Sequence, residues 1–326
     1  QNNFKPMKTQ SKRLLSLDAL RGFDMLFIMG FSSLVMDVCA LFEGGSDWWI
    51  SRTMEHVDWN GLAHHDTIFP LFLFIAGVSF PFSYAKQLSS GMSTRSIYLK
   101  IFKRMLILIG LGVVYNGCFK LDFENLRIAS VLGRIGLAWG FAAILYINFK
   151  PMTRAIIAGV TLIGYWLLIC YVPAPDVPGA DPLTMQGNLI GYVDRLLMPG
   201  RLIYDGGRFD PEGLLSTVPA IVTAMLGMFT GEFIRIPEEK ISGSRKSLYM
   251  AGAAVAMLAL GLLWSLVFPI NKMLWSSSFV LVVGAYSLGM LALFYYIIDV
   301  RGWQKWTLFF RVIGLNSITI YMAQRI

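Results

Sequence analysis

The chain has 326 residues, of which 56% are hydrophobic and only 15% are charged, and its mean hydropathy is +0.59. A typical soluble domain has about a quarter of its residues charged, so this composition excludes a soluble domain and indicates an integral, multi-pass membrane protein. The net charge of +8 would suit a nucleic-acid-binding protein. The cations instead follow membrane topology, as described below, and we expect no nucleic-acid partner.

A basic stretch, KPMKTQSKR at residues 5–13, precedes the first apolar segment and resembles the start of a signal peptide. The apolar run that follows contains Asp24 and lacks a convincing small-residue cleavage site, so we expect a first helix that is retained.

Nine apolar segments, each near the roughly 20 residues that cross a bilayer, predict an all-α bundle of about nine or ten transmembrane helices in a single domain, 1–326. They are Leu20–Phe42, Thr67–Leu88, Leu99–Tyr115, Ile128–Phe149, Ala155–Val172, Leu214–Ile234, Leu248–Phe268, Leu274–Ile298 and Trp306–Ile326. The last segment reaches the end of the sequence, which leaves room for a further helix beyond it.

The basic residues indicate how these segments are oriented. If the N-terminus is cytoplasmic and the spans alternate, most of the 28 Lys and Arg residues fall in inside segments, as the positive-inside rule requires. Two long extracytoplasmic loops then follow, 43–66 and 173–213, and long ordered loops are often functional. The cysteines Cys39, Cys118 and Cys170 have no pair or metal-ligand spacing, so we expect buried small hydrophobic residues.

Charged residues inside apolar segments are costly in a bilayer and mark bundle interiors or cavities. Asp18, Arg21 and Asp24 are spaced at i, i+3 and i+6 and share one helix face. They could form an ion-paired strap between helices, or Arg21 could bind phosphate, because a guanidinium fork matches phosphate oxygens. Arg104 and Arg311 are predicted at a similar cytoplasmic depth, which favours a phosphorylated ligand.

Two charged groups are predicted on the outer side. Arg127 and Arg134 are seven residues apart, so they would share a helix face, either contacting backbone carbonyls or forming the polar wall of a cavity. In FDPEGLLST, Asp210 is a natural N-cap, Pro211 suits the first helical position and Glu212 favours the helix dipole. Glu212 could instead contact an amine or a sugar hydroxyl.

The stretch PINKMLWSSS provides a third outer group, Asn271, Lys272 and Trp275. These side chains could hold a sugar, because amide, amine and indole groups suit hydroxyls and ring faces. A plain interfacial turn explains the same residues nearly as well.

All three histidines of the chain, His56, His64 and His65, lie in the segment HVDWNGLAHHDTIFP. A metal site completed by Asp58 and Asp66 would have suitable ligand types, but the spacing matches no familiar zinc signature, so no metal is expected. The default for any single histidine is a hydrogen-bonded loop residue. One histidine oriented by a carboxylate could instead act in acid–base or nucleophilic catalysis, and the residues alone leave this open.

The same segment predicts how the second apolar helix begins. Asp66 or Thr67 is a natural N-cap, and Pro70 would then lie in the first turn, where its missing N–H costs little. Asp66 at the helix mouth could hold the tautomer of a catalytic histidine, as the third member of a triad does.

Six stretches in chain order are more specific than any single motif. They are SLDALRG, HVDWNGL followed by HDTIFPLFLFIAGVS, RIASVLGRIGLA, DPEGLLST, PINKMLWSSS and GLNSITIY. Together they cover most of the chain, and the sequence resembles the heparan-alpha-glucosaminide N-acetyltransferase family and its bacterial relatives. The resemblance implies a multi-pass protein of the bacterial inner membrane that takes acetyl from cytoplasmic acetyl-CoA. The acceptor it implies is the amino group of a terminal glucosamine on the other side.

The resemblance also implies site residues. The catalytic histidine before WNGL corresponds to His56, and the aspartate before the FP helix corresponds to Asp66. Arg21 and Arg311 are candidates for the coenzyme phosphates on grounds of depth alone. The residues expected to line the sugar side are Asn60, Arg134, Glu212, Asn271, Lys272 and Trp275.

One departure concerns the first span, where animal members have an asparagine near the reaction centre and this sequence has Ser32. Either Ser32 takes a weaker hydrogen-bonding role, or Asn60 or Asn316 substitutes. Ser32 and Asn316 are therefore further candidates on the coenzyme side.

The expected mechanism is direct transfer, with His56 removing a proton from the sugar amine as it attacks the thioester, and an acetyl-His56 intermediate is the alternative. Two other functions stay open. A transporter of amino sugars or oligosaccharides would also have buried charges and a central cavity, and an O-acyltransferase would use a glycan hydroxyl. A homodimer is also considered.

Overall fold

The structure, a computed structural model, describes residues 14–122 and 125–325. The basic stretch 5–13 and the final residue of the ninth predicted span lie outside the described residues. Within them the chain is helical, with three isolated β-bridges and no strand. The α-helices are α1 Leu15–Leu26, α2 Ser32–Ala40, α3 Trp49–Arg52, α4 His64–Ser89, α5 Thr94–Tyr115, α6 Val131–Asn148, α7 Pro151–Tyr171, α8 Leu189–Leu197, α9 Thr217–Ile234, α10 Gly243–Ser265, α11 Ser277–Phe294, α12 Leu308–Leu315 and α13 Ser317–Ala323. Two π-helical segments, Phe27–Phe31 and Tyr295–Val300, follow α1 and α11.

Seven helices in the described part of the chain are long and apolar enough to cross a membrane. They are Leu15–Ala40, His64–Ser89, Val131–Asn148, Pro151–Tyr171, Thr217–Ile234, Gly243–Ser265 and Ser277–Val300. Each overlaps a segment that the sequence predicts as a span. The prediction of an all-α, multi-pass membrane protein is therefore confirmed.

The predicted number of spans is corrected at two of the nine segments. Helix α5 has 22 residues, but Lys100, Lys103 and Arg104 follow one another closely along it and make it more polar than the other seven. The ninth segment is broken: Lys305–Leu315 and Ser317–Ala323 meet at an angle of 61°. Over residues 14–122 and 125–325, seven helices could cross a membrane, or eight segments if the bent pair is one span.

Helix α4 begins earlier than the sequence predicts. Ala63 is extended and occupies the N-cap position, and the helix starts at His64. Asp66 therefore lies inside the first turn, where its carboxylate accepts a hydrogen bond from the Ala63 backbone N–H at 3.1 Å, and Pro70 falls in the second turn. The expectation that Asp66 or Thr67 is the N-cap is wrong, because the histidine pair already has helical backbone.

Helix α4 lies at the centre of the bundle and contacts α1, α6, α9 and α11. Its closest approach is to α9, where glycines remove the side chains that would separate the two backbones. A Cβ added at Gly77 would lie 2.2 Å from the carbonyl oxygen of Ala224, and one at Gly227 would lie 2.1 Å from that of Phe74. Small residues allow such packing between helices in lipid. The contact holds α4, and thus the histidines at its start, rigidly in the bundle.

The cysteines are free thiols. Cys39 is buried as predicted, whereas Cys118 and Cys170 are half-buried because they lie near the ends of α5 and α7, where packing is less complete.

Consecutive long helices run in opposite directions, so their connections gather at two ends of the bundle. We call the end at which α4 begins the histidine end; it contains the connections 43–63, 116–130, 172–216 and 266–276. Contacts across it include the Trp59 indole N–H, which donates to the carbonyl oxygen of Leu183 at 2.8 Å. Both long predicted loops lie at this end. Its position outside the cytoplasm stays a prediction from the positive-inside pattern.

Candidate active site

The first span is interrupted near the histidine end. Its helix widens to a π-helix over Phe27–Phe31, and Gly30 has a φ of +119°, in the left-handed region that favours glycine. Helix α2 starts directly afterwards at Ser32, whose hydroxyl oxygen lies 3.0 Å from Nδ1 of His65. The break therefore coincides with a polar contact between the first span and the start of α4.

The connection before α4 folds around the carboxylate of Asp66. Backbone N–H groups of Val57 and Ala63 donate to Oδ2 at 3.3 and 3.1 Å, and Nδ1 of His56 lies 2.7 Å from Oδ1. The side chain of Asp66 is 1% exposed, whereas that of His56 is 52% exposed. A buried carboxylate thus orients an accessible imidazole, which suits proton transfer through Nε2.

Lys272 completes this contact from a distant part of the chain. Its Nζ lies 3.0 Å from Nδ1 of His56 and 3.1 Å from Oδ1 of Asp66. When Nδ1 carries a proton, only the carboxylate can accept from the ammonium, so Lys272 and His56 share Asp66 as their acceptor. The sequence predicts Lys272 at an outer mouth, and the structure joins it to the histidine and aspartate that are predicted as partners.

Asn271 and Trp275 hold the connection that carries Lys272. The Asn271 amide donates to Oδ1 of Asn60 at 3.1 Å and accepts from the Leu274 backbone N–H at 2.8 Å. The Trp275 indole donates to the Thr223 hydroxyl at 3.3 Å. Asn271 and Trp275 are both fully buried, at 0% exposure. These two side chains therefore support the connection that carries Lys272, and their place on the sugar side stays a prediction.

A cavity of about 450 Å³ opens beside this contact. His56, His65 and Ser32 line it together with Tyr115 of α5 and Gln324 after α13. These residues come from five separate segments of the chain. The cavity therefore has the size of a small-molecule site, with an imidazole, a hydroxyl and a phenol on its wall.

The adjacent histidines have different partners, as expected for neighbouring residues on a helix. Nε2 of His64 lies 3.1 Å from the hydroxyl of Tyr286, and its ring packs 4.4 Å from that of Phe27. The His65 ring lies 4.5 Å from the His56 ring. Within residues 14–122 and 125–325, no group of three or more His, Cys, Asp or Glu side chains is arranged to hold a metal ion.

A second charged cluster lies in the connections at the histidine end. The Arg127 guanidinium donates to both carboxylate oxygens of Asp210, at 2.8 and 2.7 Å, and also to Glu212. Burial alone would lower the pKa of Arg127, but the hydrogen bonds and charges of Asp210 and Glu212 outweigh it, so the pKa lies above its ordinary value. Asp210 does not cap α9, which starts at Thr217. The predicted cap at Asp210–Pro211 is wrong: Asp210 does accept from the Glu212 backbone N–H at 2.9 Å, but this contact closes a turn that lies before the helix.

Arg134 and Arg127 do not share a helix face as predicted, because α6 begins only at Val131. Arg134 is 2% exposed, donates to the carbonyl of Gly213 at 3.2 Å and to the Ser216 hydroxyl, and lies over the Trp275 ring. Its place on the sugar side stays a prediction. Both arginines nevertheless contact the same segment, 210–216.

Comparisons with known proteins bear on this arrangement. Heparan-alpha-glucosaminide N-acetyltransferase from Mus musculus is 30% identical over 375 aligned residues that cover 98% of this chain. The protein of the same name from Homo sapiens is 28% identical over 96% of the chain. These two relatives support membership of the heparan-alpha-glucosaminide N-acetyltransferase family. No family model matches it, and it spans about half the length of these relatives, 54% and 53%.

The family resemblance read from the six sequence stretches is thereby confirmed, and three of those stretches meet in the candidate site. HVDWNGL carries His56, HDTIFPL carries Asp66, and PINKMLW carries Lys272. Stretches from three separate positions of the chain thus contribute to one cluster of side chains.

The residues predicted on the coenzyme side are not gathered at this cluster. Ser32 lines the cavity. Asn316 lies at the bend between α12 and α13, where its amide donates to the Val312 carbonyl at 2.9 Å. Arg21 lies 3.5 Å from Asp18 on the same helix. The roles of Arg21, Arg311 and Asn316 toward the coenzyme stay predictions.

Sequence reasoning passed over Asp194, a fully buried carboxylate of α8. Oδ1 accepts from the Leu214 backbone N–H at 2.9 Å, whereas Oδ2 has no hydrogen-bond partner among the described residues. A Cβ at Gly213 would lie 1.7 Å from that Oδ2. Burial raises the pKa of Asp194 from 3.8 to about 7, and the nearby N–H and arginine charges only partly oppose it.

We expect Asp194 to make the stability of the protein pH-dependent. Because its folded-state pKa lies above the unfolded value, the folded protein binds the proton more tightly, and stability falls as pH rises from about 4 to about 7, by up to about 1.4 kcal/mol per pH unit. Asp194→Asn keeps the acceptor for Leu214 and should flatten this dependence. Thermal unfolding at pH 5 and pH 8 in detergent measures it.

Asp176→Asn is the matched control, because Asp176 is partly exposed and paired with Arg195 at 2.7 Å. This variant should keep the pH dependence of the parent between pH 5 and 8. An Asp194→Asn variant with the slope of the parent would contradict the role given to Asp194.

Proposed function

We propose that the chain is an acetyl-CoA-dependent N-acetyltransferase that acts on the amino group of a glucosamine-type sugar. The observation that carries the proposal is that His56, which lines a cavity, contacts Lys272 and the buried Asp66. The two relatives are named as N-acetyltransferases for a glucosaminide. Together these support an acyl transfer at His56.

The chemistry proposed for the site is direct transfer. The sugar amine attacks the carbonyl carbon of the acetyl thioester, so that a C–N bond forms and the C–S bond breaks. Nε2 of His56 takes a proton from the amine, and the imidazolium then gives it to the departing thiolate of coenzyme A. Because Nδ1 of His56 faces Asp66 at 2.7 Å, the carboxylate favours the tautomer whose Nε2 is unprotonated and stabilises the imidazolium that forms.

Ser32 is proposed to assist the negative oxygen of the tetrahedral intermediate. Its hydroxyl lies 3.0 Å from Nδ1 of His65 and lines the same cavity as His56. If Nδ1 of His65 donates to the Ser32 oxygen, the hydroxyl proton is free to point into the cavity. A donor held in place before the reaction stabilises the oxyanion without reorganisation.

The two substrates are proposed to enter from opposite ends of the bundle. The positive-inside pattern predicts that the end opposite the histidine end is cytoplasmic, and acetyl-CoA would approach from there, with Arg21 and Arg311 as proposed phosphate contacts. The acceptor would enter at the histidine end, where Glu55 lines the cavity and would attract an amino sugar in its ammonium form. This arrangement fits a protein of a bacterial inner membrane.

The test is acetyl transfer by the purified chain in detergent. Labelled acetyl-CoA is offered with glucosamine, muropeptides or heparin fragments, and we expect base-stable N-acetyl product from at least one amine acceptor. N-acetylglucosamine, whose amine is blocked, is the control acceptor and should take no label. Label in base-labile ester would contradict an N-acetyltransferase and favour an O-acyltransferase.

A single-turnover experiment separates the two mechanisms. With acetyl-CoA and no acceptor, direct transfer predicts that coenzyme A is not released and the protein carries no label. Stable label on the parent that is absent from His56→Gln would overturn direct transfer in favour of an acetyl-His56 intermediate.

A further inference from the structure

A second cavity, of about 400 Å³, lies between α4, α5 and α6 toward the end opposite the histidines. Its polar lining consists of Ser79, Ser83 and Gln87 of α4, Lys100 and Arg104 of α5, and Trp139 of α6. Among the residues that the structure describes, no carboxylate lines it. Because the first turns of α5 and the last turns of α4 form this wall, the cavity is distinct from the one beside His56.

Two buried polar atoms in this wall lack hydrogen-bond partners among the described residues. They are the indole nitrogen of Trp139, a donor in a side chain that is 5% exposed, and Oε1 of Gln87, an acceptor. The Gln87 amide is oriented by its contact with the Ser83 hydroxyl at 2.9 Å. Buried polar groups in proteins are nearly always paired, so an unmatched donor and acceptor on one cavity wall indicate a missing polar ligand.

The charged side chains of this wall indicate that the ligand is an anion. The Arg104 guanidinium lies 4.2 Å from the centre of the Trp139 ring, which fixes its position by a cation–π contact. The positive charge of Arg21 repels that of Arg104. Lys100 lies one helical turn before Arg104 on α5. An anion between these groups would relieve their repulsion, and a guanidinium fork with neighbouring hydroxyls suits phosphate oxygens.

We propose that this cavity binds the phosphate group of a phosphate ester, with Arg104 and Lys100 on the phosphate, the Trp139 N–H as a further donor, and Gln87 as acceptor for a hydroxyl of the esterified alcohol. The ligand is either a soluble nucleotide-type ester, such as the phosphorylated end of coenzyme A, or the headgroup of an anionic phospholipid. Only the first source rests on the proposed function.

The position of the cavity is compatible with a long donor. Ser79 is 14 residues beyond His65 on α4, which is about 21 Å at the helical rise of 1.5 Å per residue. A ligand held here by its phosphates reaches His56 only through a long, thin arm. A phospholipid headgroup needs no such reach, because α5 presents Phe102 and Leu106 outward, at 58% and 53% exposure.

The experiment measures binding of adenosine 3′,5′-bisphosphate, a phosphate ester without an acetyl group, to the full chain in detergent by calorimetry. Arg104→Gln should weaken binding about tenfold, the equivalent of one charge-assisted hydrogen bond, and Trp139→Phe should weaken it several-fold. Lys103→Gln is the matched control: it removes a neighbouring exposed cation that does not line the cavity, and it should bind as the parent does.

A second measurement tests whether the phosphate belongs to the headgroup of an anionic phospholipid. In nanodiscs, phosphatidylglycerol should raise the Tm of the parent relative to phosphatidylcholine alone, and Arg104→Gln should remove the difference. Arg104→Gln and Trp139→Phe variants that respond to both ligands as the parent does would overturn the proposal, as would equal weakening by Lys103→Gln. If Arg104→Gln does not fold, Lys100→Gln takes its place.

Failure of this site and failure of the proposed function are distinguishable. His56→Gln should bind the bisphosphate with unchanged affinity, because His56 is at the other cavity. If the chain binds the bisphosphate through Arg104 but transfers no acetyl group, the phosphate site is supported and the proposed acetyltransferase function is contradicted. If the chain transfers acetyl but its binding of the bisphosphate does not depend on Arg104, the function is supported and the phosphate site is contradicted.

Discussion

His56→Gln is expected to lower the rate of acetyl transfer by about 10²- to 10⁴-fold, the usual contribution of a positioned general base. Glutamine keeps a polar side chain of similar length, so the contact with Asp66 can persist while the proton acceptor is lost. The exposed imidazole and the buried carboxylate at 2.7 Å are the reason to expect the effect at this residue. Initial rates at saturating acetyl-CoA, together with the Tm, measure it.

His64→Gln is the matched comparison, because His64 also lies at the start of α4, next to His65. His64 contacts Tyr286 and Phe27 and does not line the cavity with His56. We expect this variant to keep a large share of the activity, with any loss explained by a lower Tm. Equal losses for His56→Gln and His64→Gln at equal stability would contradict a catalytic role specific to His56.

Hydropathy was sufficient to predict most of the fold, because burial of apolar side chains in lipid demands long helices. Hydropathy did not predict where a helix starts or breaks next to polar residues. Helix α9 starts only at Thr217, while Asp210 binds Arg127, and nothing in FDPEGLLST alone indicates a partner 83 residues away. The break at Asn316 likewise falls inside a segment that hydropathy alone predicts as one span.

The candidate site was predictable in part. Family resemblance points to His56 and Asp66, and the structure brings these two side chains together. Lys272 could be predicted only as a residue of an outer turn, because its contact with them depends on how the 266–276 connection folds across the bundle. Lys272 differs from Asn271 and Trp275 in that its side chain is partly exposed, and a single sequence carries no signal for which of three neighbouring residues is buried.

Asp66→Asn is expected to cost more than removal of Lys272. Oδ2 of Asp66 receives two backbone N–H groups, from Val57 and Ala63, so an asparagine must turn its oxygen toward them. Its NH₂ group then faces Nδ1 of His56 and holds the imidazole in the tautomer whose Nε2 is already protonated. The corresponding change in a Ser-His-Asp triad lowers kcat about 10⁴-fold, and we expect a loss approaching that size here.

Lys272→Met separates the effect of the Lys272 charge from the effect of Asp66 on the His56 tautomer. It leaves the contact between His56 and Asp66 intact and removes only the ammonium that lies 3.0 Å from Nδ1. Asp66 still fixes the tautomer of His56, so Lys272→Met should lower kcat/KM less than Asp66→Asn does. Initial rates of both variants, together with their Tm values, measure the difference. Equal losses for the two variants at equal stability would contradict this division of roles, since they would mean that Asp66 serves only to bind Lys272.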